Sequence, residues 1–151
     1  MAHNKLKTLI AIGSHALTND SAIRAVGIEV SRIVRAGHQV VVTHGNAQAA
    51  GLGLIRSEAA ASRACPELSF NQVVAETCGL LGYQLQQSIT NALARFSVKS
   101  HDKCAVASII TQTLVDPQDE AFRKPSKPIG PQYVYDTSRS TLTSRKGSWE
   151  M

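Results

Sequence analysis

The sequence predicts an α/β fold, a three-layer sandwich in which helices cover both faces of a mainly parallel sheet. Two short apolar runs, 6–12 and 39–43, have the character of strands, and the segment between them repeats its apolar residues at helical spacing. The 151 residues suffice for one core of moderate size. We expect residues 1–115 to form an incomplete sandwich domain, and residues 116–151 to form a protruding segment and a polar tail.

The fold begins with a strand, a helix and a second strand. The run 6–12 (LKTLIAI) is mostly apolar, as in a parallel strand buried on both faces. Helix 22–36 follows, and Gly37 is a natural C-terminal stop. Three residues are candidate N-caps of this helix: Asn19, Asp20 and Ser21. A right-handed crossover makes the strands parallel, so the loops 13–16 and 44–47 lie at the sheet edge where open parallel sheets bind ligands.

Two further helices follow. Helix 48–62 is rich in alanine, and a longer helix runs from a cap at Ser69 to about Arg95. Gly79 and Gly82 lie inside the longer helix, where each costs about 1 kcal/mol relative to alanine. We interpret them as positions where another backbone comes close.

The later part of the chain is predicted to hold one more strand, at 105–113 (AVASIITQT), before the proline-rich stretch. The tail 134–151 is polar, rich in serine and threonine, and has no helical stripe. We expect it to be weakly ordered, with Trp149 as a candidate anchor.

Composition narrows the functional classes. The net charge of +5 is spread thinly, without a basic stripe that contains aromatic residues, so nucleic acid is not an expected partner. No apolar run is long enough to cross a bilayer, so no membrane partner is expected. Cys65, Cys78 and Cys104 are odd in number and widely spaced, which indicates free thiols in the cytoplasm and no metal site.

The stretch 116–133 (DPQDEAFRKPSKPIGPQY) holds four prolines and three basic side chains. Proline fixes φ and lacks an N–H group, which excludes a helix interior or a central strand. Two interpretations stay open: a solvated basic loop, or an ordered excursion that buries Phe122, Ile129 and Tyr133. In the ordered case, Lys127 is held between prolines and presents its ammonium group to an anion.

This stretch resembles the signature of the carbamate kinases, which belong to the amino acid kinase family. The prolines are in register, and Glu120, Ser126 and Gln132 stand where that family has proline, threonine and phenylalanine. The resemblance implies a small subdomain that protrudes over the substrate site. It also implies that Lys127 is the catalytic lysine, which stabilises charge on the transferred phosphoryl group.

The loop after the first strand (IAIGSHAL) is similar to the start of the same family, IALGGNAL. Gly13 keeps the first glycine, whereas Ser14 and His15 replace the second glycine and an asparagine. In the family these glycines lie close to the transferred phosphoryl group, since a residue without Cβ lets backbone N–H groups approach phosphate oxygens. The resemblance implies that Gly13 binds substrate, and that the Ser14 side chain crowds this site.

The loop after the second strand (VVVTHGNAQAAGLG) resembles the family motif VVTHGNGPQVG. It keeps Gly45, Asn46 and Gly51, which the resemblance assigns to substrate binding, and it departs from the motif at 47–50. A helix N-terminus at this place favours an anion. Taken alone, Asn46 is better interpreted as an ordinary helix cap. His44 is interpreted as a structural or positioning residue rather than a general base.

The resemblance implies the reversible transfer of a phosphoryl group between ATP and carbamate, which gives carbamoyl phosphate. ATP and Mg²⁺ are then the cofactors, and the protein is a cytoplasmic homodimer of arginine metabolism. The helix 75–93 is similar to a family helix that packs near the active site and contributes to the dimer.

Only the amino-terminal half of the family pattern is matched, and the resemblance places nucleotide binding in the other half. No glycine-rich loop of the P-loop type is present. Two hypotheses follow. The chain is part of a carbamate kinase-like phosphotransferase, or it is a catalytically inactive truncated derivative that acts as a binding or dimerising module.

Overall fold

The computed structural model describes residues 6–96, 104–125, 129, 133–136 and 141–144. The chain forms two compact units. The first unit contains the described residues of Met1–Asn46 and Ala75–Ile110, and the second contains those of Ala47–Val74 and Thr111–Met151.

The first unit is built on two parallel strands, β1 (Lys7–Ile12) and β2 (Gln39–His44), joined by helix α1 (Asp20–Arg35). The ladder continues beyond the strand ends, because Gln39 N donates to Leu6 O and Gly45 N donates to Ile12 O, both at 3.0 Å. The α/β class and the parallel strand–helix–strand unit are therefore confirmed.

Helix α1 starts and stops at the residues that the sequence indicates. The side chain of Asn19 accepts a hydrogen bond from Ala22 N at 3.0 Å, so Asn19 is the N-cap among the three candidates. Gly37 has a φ of +93°, a left-handed conformation that suits glycine, and its N–H donates to Val34 O at 2.9 Å. Both caps satisfy backbone groups that the helix leaves unpaired.

Helix α1 packs closely against the long helix α3 (Phe70–Phe96). A Cβ on Gly27 would overlap the Ser88 hydroxyl and lie 2.9 Å from the Ser88 backbone carbon. The Ser88 hydroxyl donates to Ile23 O at 3.1 Å across this crossing. A buried glycine at 27 is therefore required for the two helices to approach so closely.

The glycines inside α3 also mark close contacts. A Cβ on Gly82 would lie 3.4 Å from both Cβ and Oγ of Ser108, and 3.9 Å from Nε2 of His44 on β2. A Cβ on Gly79 would lie 3.6 Å from Cδ1 of Ile110. The predicted close approach of another backbone is not found in the described residues, because a Cβ at either position would make ordinary van der Waals contact with side chains.

Two expectations about the sheet are wrong in the described residues. Side chains of β1 and β2 alternate between exposed and half-buried, so β1 is not buried on both faces. Residues 105–113 form no strand. An extended segment becomes a strand only by pairing with a neighbour, and the described residues supply none for it.

The second unit contains helix α2 (Ala47–Ala60) and the first turns of α3. Its core joins Leu54 of α2 to Val73 of α3, with Ile55 and Leu68 packed against them. Ser69 caps α3 as predicted. Its N–H donates to the Gln72 side chain at 2.9 Å, and Gln72 N donates back to the Ser69 hydroxyl at 3.5 Å.

The proline-rich stretch begins with an ordered turn. Asp119 N donates to Asp116 O at 3.0 Å, and the Asp119 carboxylate accepts from Ala121 N at 2.8 Å, which starts a 3-10 turn at Glu120–Phe122. Phe122 is exposed, which contradicts its burial in the ordered-excursion interpretation, and Ile129 is half-buried. The side chain of Tyr133 lies outside the part that the structure describes.

The tail is more regular than predicted. Strands β3 (Tyr133–Asp136) and β4 (Thr141–Ser144) form an antiparallel pair in which Tyr133 faces Ser144 and Asp136 faces Thr141. Tyrosine, valine and threonine favour strands, and this propensity outweighs the polar composition of the tail. Trp149, the candidate anchor, lies outside the described residues.

Candidate functional site

The loops that follow β1 and β2 meet at the carboxyl edge of the sheet. A Cβ on Gly45 would lie 3.4 Å from the backbone nitrogen of Ser14 and 3.6 Å from its Cβ. The structure therefore brings the Gly13–Ser14 turn and Gly45 together within the first unit, as the sequence predicts. This edge is where open parallel sheets bind their ligands.

Gly13 lies beside open space. A Cβ built there meets no atom within 4 Å in the part of the chain that the structure describes. Its backbone is extended, with φ −66° and ψ 148°, a conformation that any residue adopts. Its carbonyl accepts from Ala16 N at 3.0 Å, which closes the first turn of a 3-10 segment, Ser14–Leu17. Neither the backbone conformation nor the packing of the described residues requires glycine at this position.

Asn46 is tied to helix α3. Its side-chain nitrogen donates to the Thr77 hydroxyl at 3.1 Å, and Thr77 is only 9% exposed. This contact joins residues 31 positions apart and fixes the Asn46 amide beside the loop that follows β2. Buried polar groups that have found partners hold a site rigid.

Thr77 is the site residue that the sequence reasoning missed. It lies four residues after Val73 and four residues before Leu81, both of which are buried apolar residues of α3. A hydroxyl at one position of an apolar helical stripe needs a hydrogen-bond partner. That break in the stripe was the available signal for a contact with a polar loop.

The two residues that depart from the family pattern occupy different environments. Ser14 is half-buried against Gly45, whereas His15 is exposed. The Ser14 side chain therefore narrows the space between the two loops.

His44 has a packing position. It lies on the face of β2 that is half-buried, with Nε2 directed at Gly82 of α3 and Nδ1 3.4 Å from the carbonyl oxygen of Gly45. These contacts suit the structural role predicted for it.

Cys78 is the neighbour of Thr77 on α3, and burial raises the pKa of its thiol, so it stays protonated at neutral pH.

The described structure of the first unit does not test two of the predicted site residues. Gly51 is buried in α2, in the second unit. Lys127 lies outside the described residues. Their roles stay predictions.

Metal and membrane sites were also sought in the described residues. They contain no group of three His, Cys, Asp or Glu side chains that could hold a metal ion. None of the helices in the described ranges is both long enough and apolar enough to span a bilayer.

The chain is similar to known proteins in both sequence and structure. Carbamate kinase 1 of Enterococcus faecium is 35% identical over 83% of this chain, and carbamate kinase of Pyrococcus horikoshii is 33% identical over 93% of it. The structure of Giardia carbamate kinase matches 86% of the chain with a TM-score of 0.73 at 30% identity. The chain is homologous to the carbamate kinases.

The carbamate kinase homology covers nearly all of this chain but less than half of its relatives. The matched segments make up 42% of the E. faecium protein, 47% of the P. horikoshii protein and 46% of the Giardia chain. Another relative, the carbamate kinase-like protein YahI of Escherichia coli, is 32% identical with similar coverage. No protein-family model matches the sequence. The amino acid kinase-like fold is confirmed for this portion.

Proposed function

We propose that this chain is the carbamate-binding part of a carbamate kinase-like phosphotransferase. The reaction is the reversible transfer of a phosphoryl group between ATP and carbamate, and this chain binds the carbamoyl phosphate end. The proposal draws on the homology over nearly the whole chain and on the meeting of the two strand-end loops.

The observation that carries the proposal is the open space at Gly13. The described fold does not need glycine there, because the backbone is extended and a Cβ would meet no atom of the described residues within 4 Å. A glycine without a role in the fold is explained by a ligand that approaches the backbone closely. Gly45 and the fixed amide of Asn46 border the same loop pair.

The chemistry required of this chain is electrostatic. Phosphoryl transfer relies mainly on positioning and on stabilising the charge on the transferred oxygens. Backbone N–H groups of the two loops, other than those of Ala16 and Gly45 that already donate to Gly13 O and Ile12 O, and the Asn46 amide would donate to phosphate or carbamate oxygens. Lys127 would supply a positive charge. Gly51 would allow the start of α2 to come close to the ligand.

ATP and Mg²⁺ are implied by the family. The described residues do not offer a set of acidic or imidazole ligands for the metal, so we assign no step to it here. We place nucleotide binding in polypeptide equivalent to the part of the relatives that this chain does not match.

A coupled assay tests the activity. ADP and carbamoyl phosphate are supplied to the chain co-purified with the portion of E. faecium carbamate kinase 1 outside its match, which supplies nucleotide binding, and ATP formation is followed with a Lys127→Ala variant beside it. Lys124→Ala is the matched control, because Lys124 is an exposed lysine of the same stretch that pairs with Glu120 at 3.6 Å. We expect turnover that is lost with Lys127→Ala and kept with Lys124→Ala. Equal turnover in all three proteins would contradict the role of Lys127.

The second candidate is a catalytically inactive derivative that acts as a binding or dimerising module. It is favoured by Ser14, whose side chain narrows the loop pair, by the departures at 47–50, and by the limited span of the homology. This candidate predicts no ATP formation at any enzyme concentration, with binding of carbamoyl phosphate retained.

We further propose a cytoplasmic homodimer that uses α3. Leu80 and Tyr83 are 52% and 60% exposed on this helix, which suits an apolar contact between two copies. Light scattering is expected to show a dimer that Tyr83→Lys converts to a monomer. A monomer at all concentrations would contradict this proposal.

A further inference from the structure

The pair of strand-end loops has one open side and one closed side. On the open side, a Cβ built on Gly13 meets no atom within 4 Å in the described residues. On the closed side, a Cβ built on Gly45 would lie 3.4 Å from the backbone nitrogen of Ser14 and 3.6 Å from its Cβ. Ser14 is itself half-buried. Its side chain therefore forms a wall beside the space that Gly13 leaves open.

The Ser14 hydroxyl has no hydrogen-bond partner among the described residues. The other four serines that the structure describes in the first unit all donate to acceptors of the chain, at 2.6–3.1 Å: Ser21, Ser31, Ser88 and Ser108. Within the described part of the chain, no buried side-chain oxygen lacks a partner, so the unpaired hydroxyl of Ser14 is open to solvent. The fold therefore leaves this donor unused.

A wall and an unused donor at one position select among anions by size. A hydroxyl donates to any oxyanion that comes beside it, and losing one hydrogen bond to a charged group weakens binding about tenfold or more. A carbamoyl group on the same anion needs further room, and Cβ and Oγ of Ser14 take up part of the space between the loops. Room for one methylene-sized group changes affinity about tenfold or more. A compact anion gains from Ser14, and a larger anion is crowded by it.

We infer that Ser14 is a specificity-determining residue, which makes the loop pair prefer a compact oxyanion of the size of phosphate to carbamoyl phosphate. Glycine, which the resemblance places at this position, has neither the Cβ that forms the wall nor the hydroxyl that donates. The preference therefore comes from a departure of this chain from the family pattern. The inference rests on the proposed function, because it uses the same loop pair as the anion site.

Two phosphonates that differ by one carbamoyl group test the inference. Methylphosphonate is the compact anion, and phosphonoacetamide carries the carbamoyl group in addition. Isothermal titration of the 151-residue chain with each ligand, at fixed pH and ionic strength, gives the ratio of the two dissociation constants. We expect the parent protein to bind methylphosphonate about tenfold more tightly than phosphonoacetamide.

Two substitutions separate the wall from the donor. Ser14→Gly removes both, so methylphosphonate should bind about tenfold more weakly and phosphonoacetamide about tenfold more tightly. Ser14→Ala keeps the Cβ and removes only the hydroxyl, so methylphosphonate should again bind about tenfold more weakly, without the gain for phosphonoacetamide. Ser21→Ala is the matched control, an exposed serine of α1 outside both loops, and it should leave both affinities unchanged. Partial unfolding of a variant would weaken both ligands equally and leave the ratio unchanged.

The possible failures of this inference and of the proposed function are distinguishable. A ratio that is the same in the parent, Ser14→Gly and Ser14→Ala would overturn the inference, whereas anion binding by all three proteins would leave the proposed site standing. A parent protein that prefers phosphonoacetamide to methylphosphonate would overturn the inference in the same way. Binding of neither phosphonate by the parent at millimolar concentration would overturn both the inference and the proposed site.

Discussion

Replacing Gly13 with alanine should make the protein more stable and should weaken its binding of carbamoyl phosphate. The backbone at Gly13 is extended, and an added Cβ meets no atom within 4 Å, so the folded state accepts alanine without strain. Alanine also restricts the unfolded chain, which stabilises a protein by about 0.4–1 kcal/mol at compatible positions. For a chain of this size that corresponds to a rise in Tm of about 1–4 °C.

The same methyl group should weaken binding. It would fill the open space through which an anion approaches the backbone N–H groups of the loop. A hydrogen bond to a charged group contributes about 1.5–3 kcal/mol, so losing one such contact weakens binding about tenfold to a hundredfold. Isothermal titration with phosphonoacetamide, the stable methylene analogue of carbamoyl phosphate, measures this loss, and thermal unfolding by circular dichroism measures the stability.

Gly37→Ala is the matched control. Its Cβ also meets no atom within 4 Å, but its φ of +93° is unfavourable for alanine by about 1–2 kcal/mol. We expect this variant to lower Tm and to bind the analogue normally. A Gly13→Ala protein that loses stability, or that binds as tightly as the parent, would refute the reasoning about the open space.

Three further predictions follow from packing and burial. Gly27→Ala should lower the free energy of unfolding by about 1–3 kcal/mol in a denaturant titration. Adding Ser88→Gly should not restore this stability fully, because the Ser88 backbone carbon also blocks the added Cβ. Full restoration would show that only the Ser88 side chain opposes the added Cβ. Ser14→Gly should tighten phosphonoacetamide binding and lower the free energy of unfolding by about 0.5–1 kcal/mol. Weaker binding in the titration would show that the Ser14 hydroxyl contributes to binding. Burial raises the pKa of the Cys78 thiol, so a smaller fraction of Cys78 is thiolate at pH 8. Mass spectrometry should therefore find that iodoacetamide alkylates exposed Cys65 before Cys78. Equal alkylation rates at the two cysteines would contradict this.

Local signals predicted the first half of the fold well. The N-cap at Asn19, the stop at Gly37 and the cap at Ser69 act over a few residues, so they can be recognised in the sequence. The parallel pairing of β1 and β2 follows from the crossover rule.

Features that depend on distant partners were harder to predict. Residues 105–113 have strand propensity, but a strand also needs a neighbour for its ladder. The pairing of β3 with β4 was missed because the tail is polar, although its tyrosine, valine and threonine residues favour strands. The exposure of Leu9 and Val41 depends on what covers the sheet, which the apolar run does not reveal.

The candidate site divides in the same way. The meeting of the Gly13 and Gly45 loops follows from strand topology and was predicted. The hydrogen bond from Asn46 to Thr77 spans 31 residues and was not predicted. The role of Lys127 came from the resemblance alone and stays a prediction.

The most direct test of the account is a titration of isotope-labelled protein with phosphonoacetamide, followed by amide chemical shifts in nuclear magnetic resonance. We predict saturable shifts for the backbone amides of Gly13 to Ala16 and of Gly45 and Asn46, which all fit one dissociation constant. Saturable shifts confined to other residues, or no shifts at these loops at millimolar analogue, would contradict the claim that the two strand-end loops form one anion site.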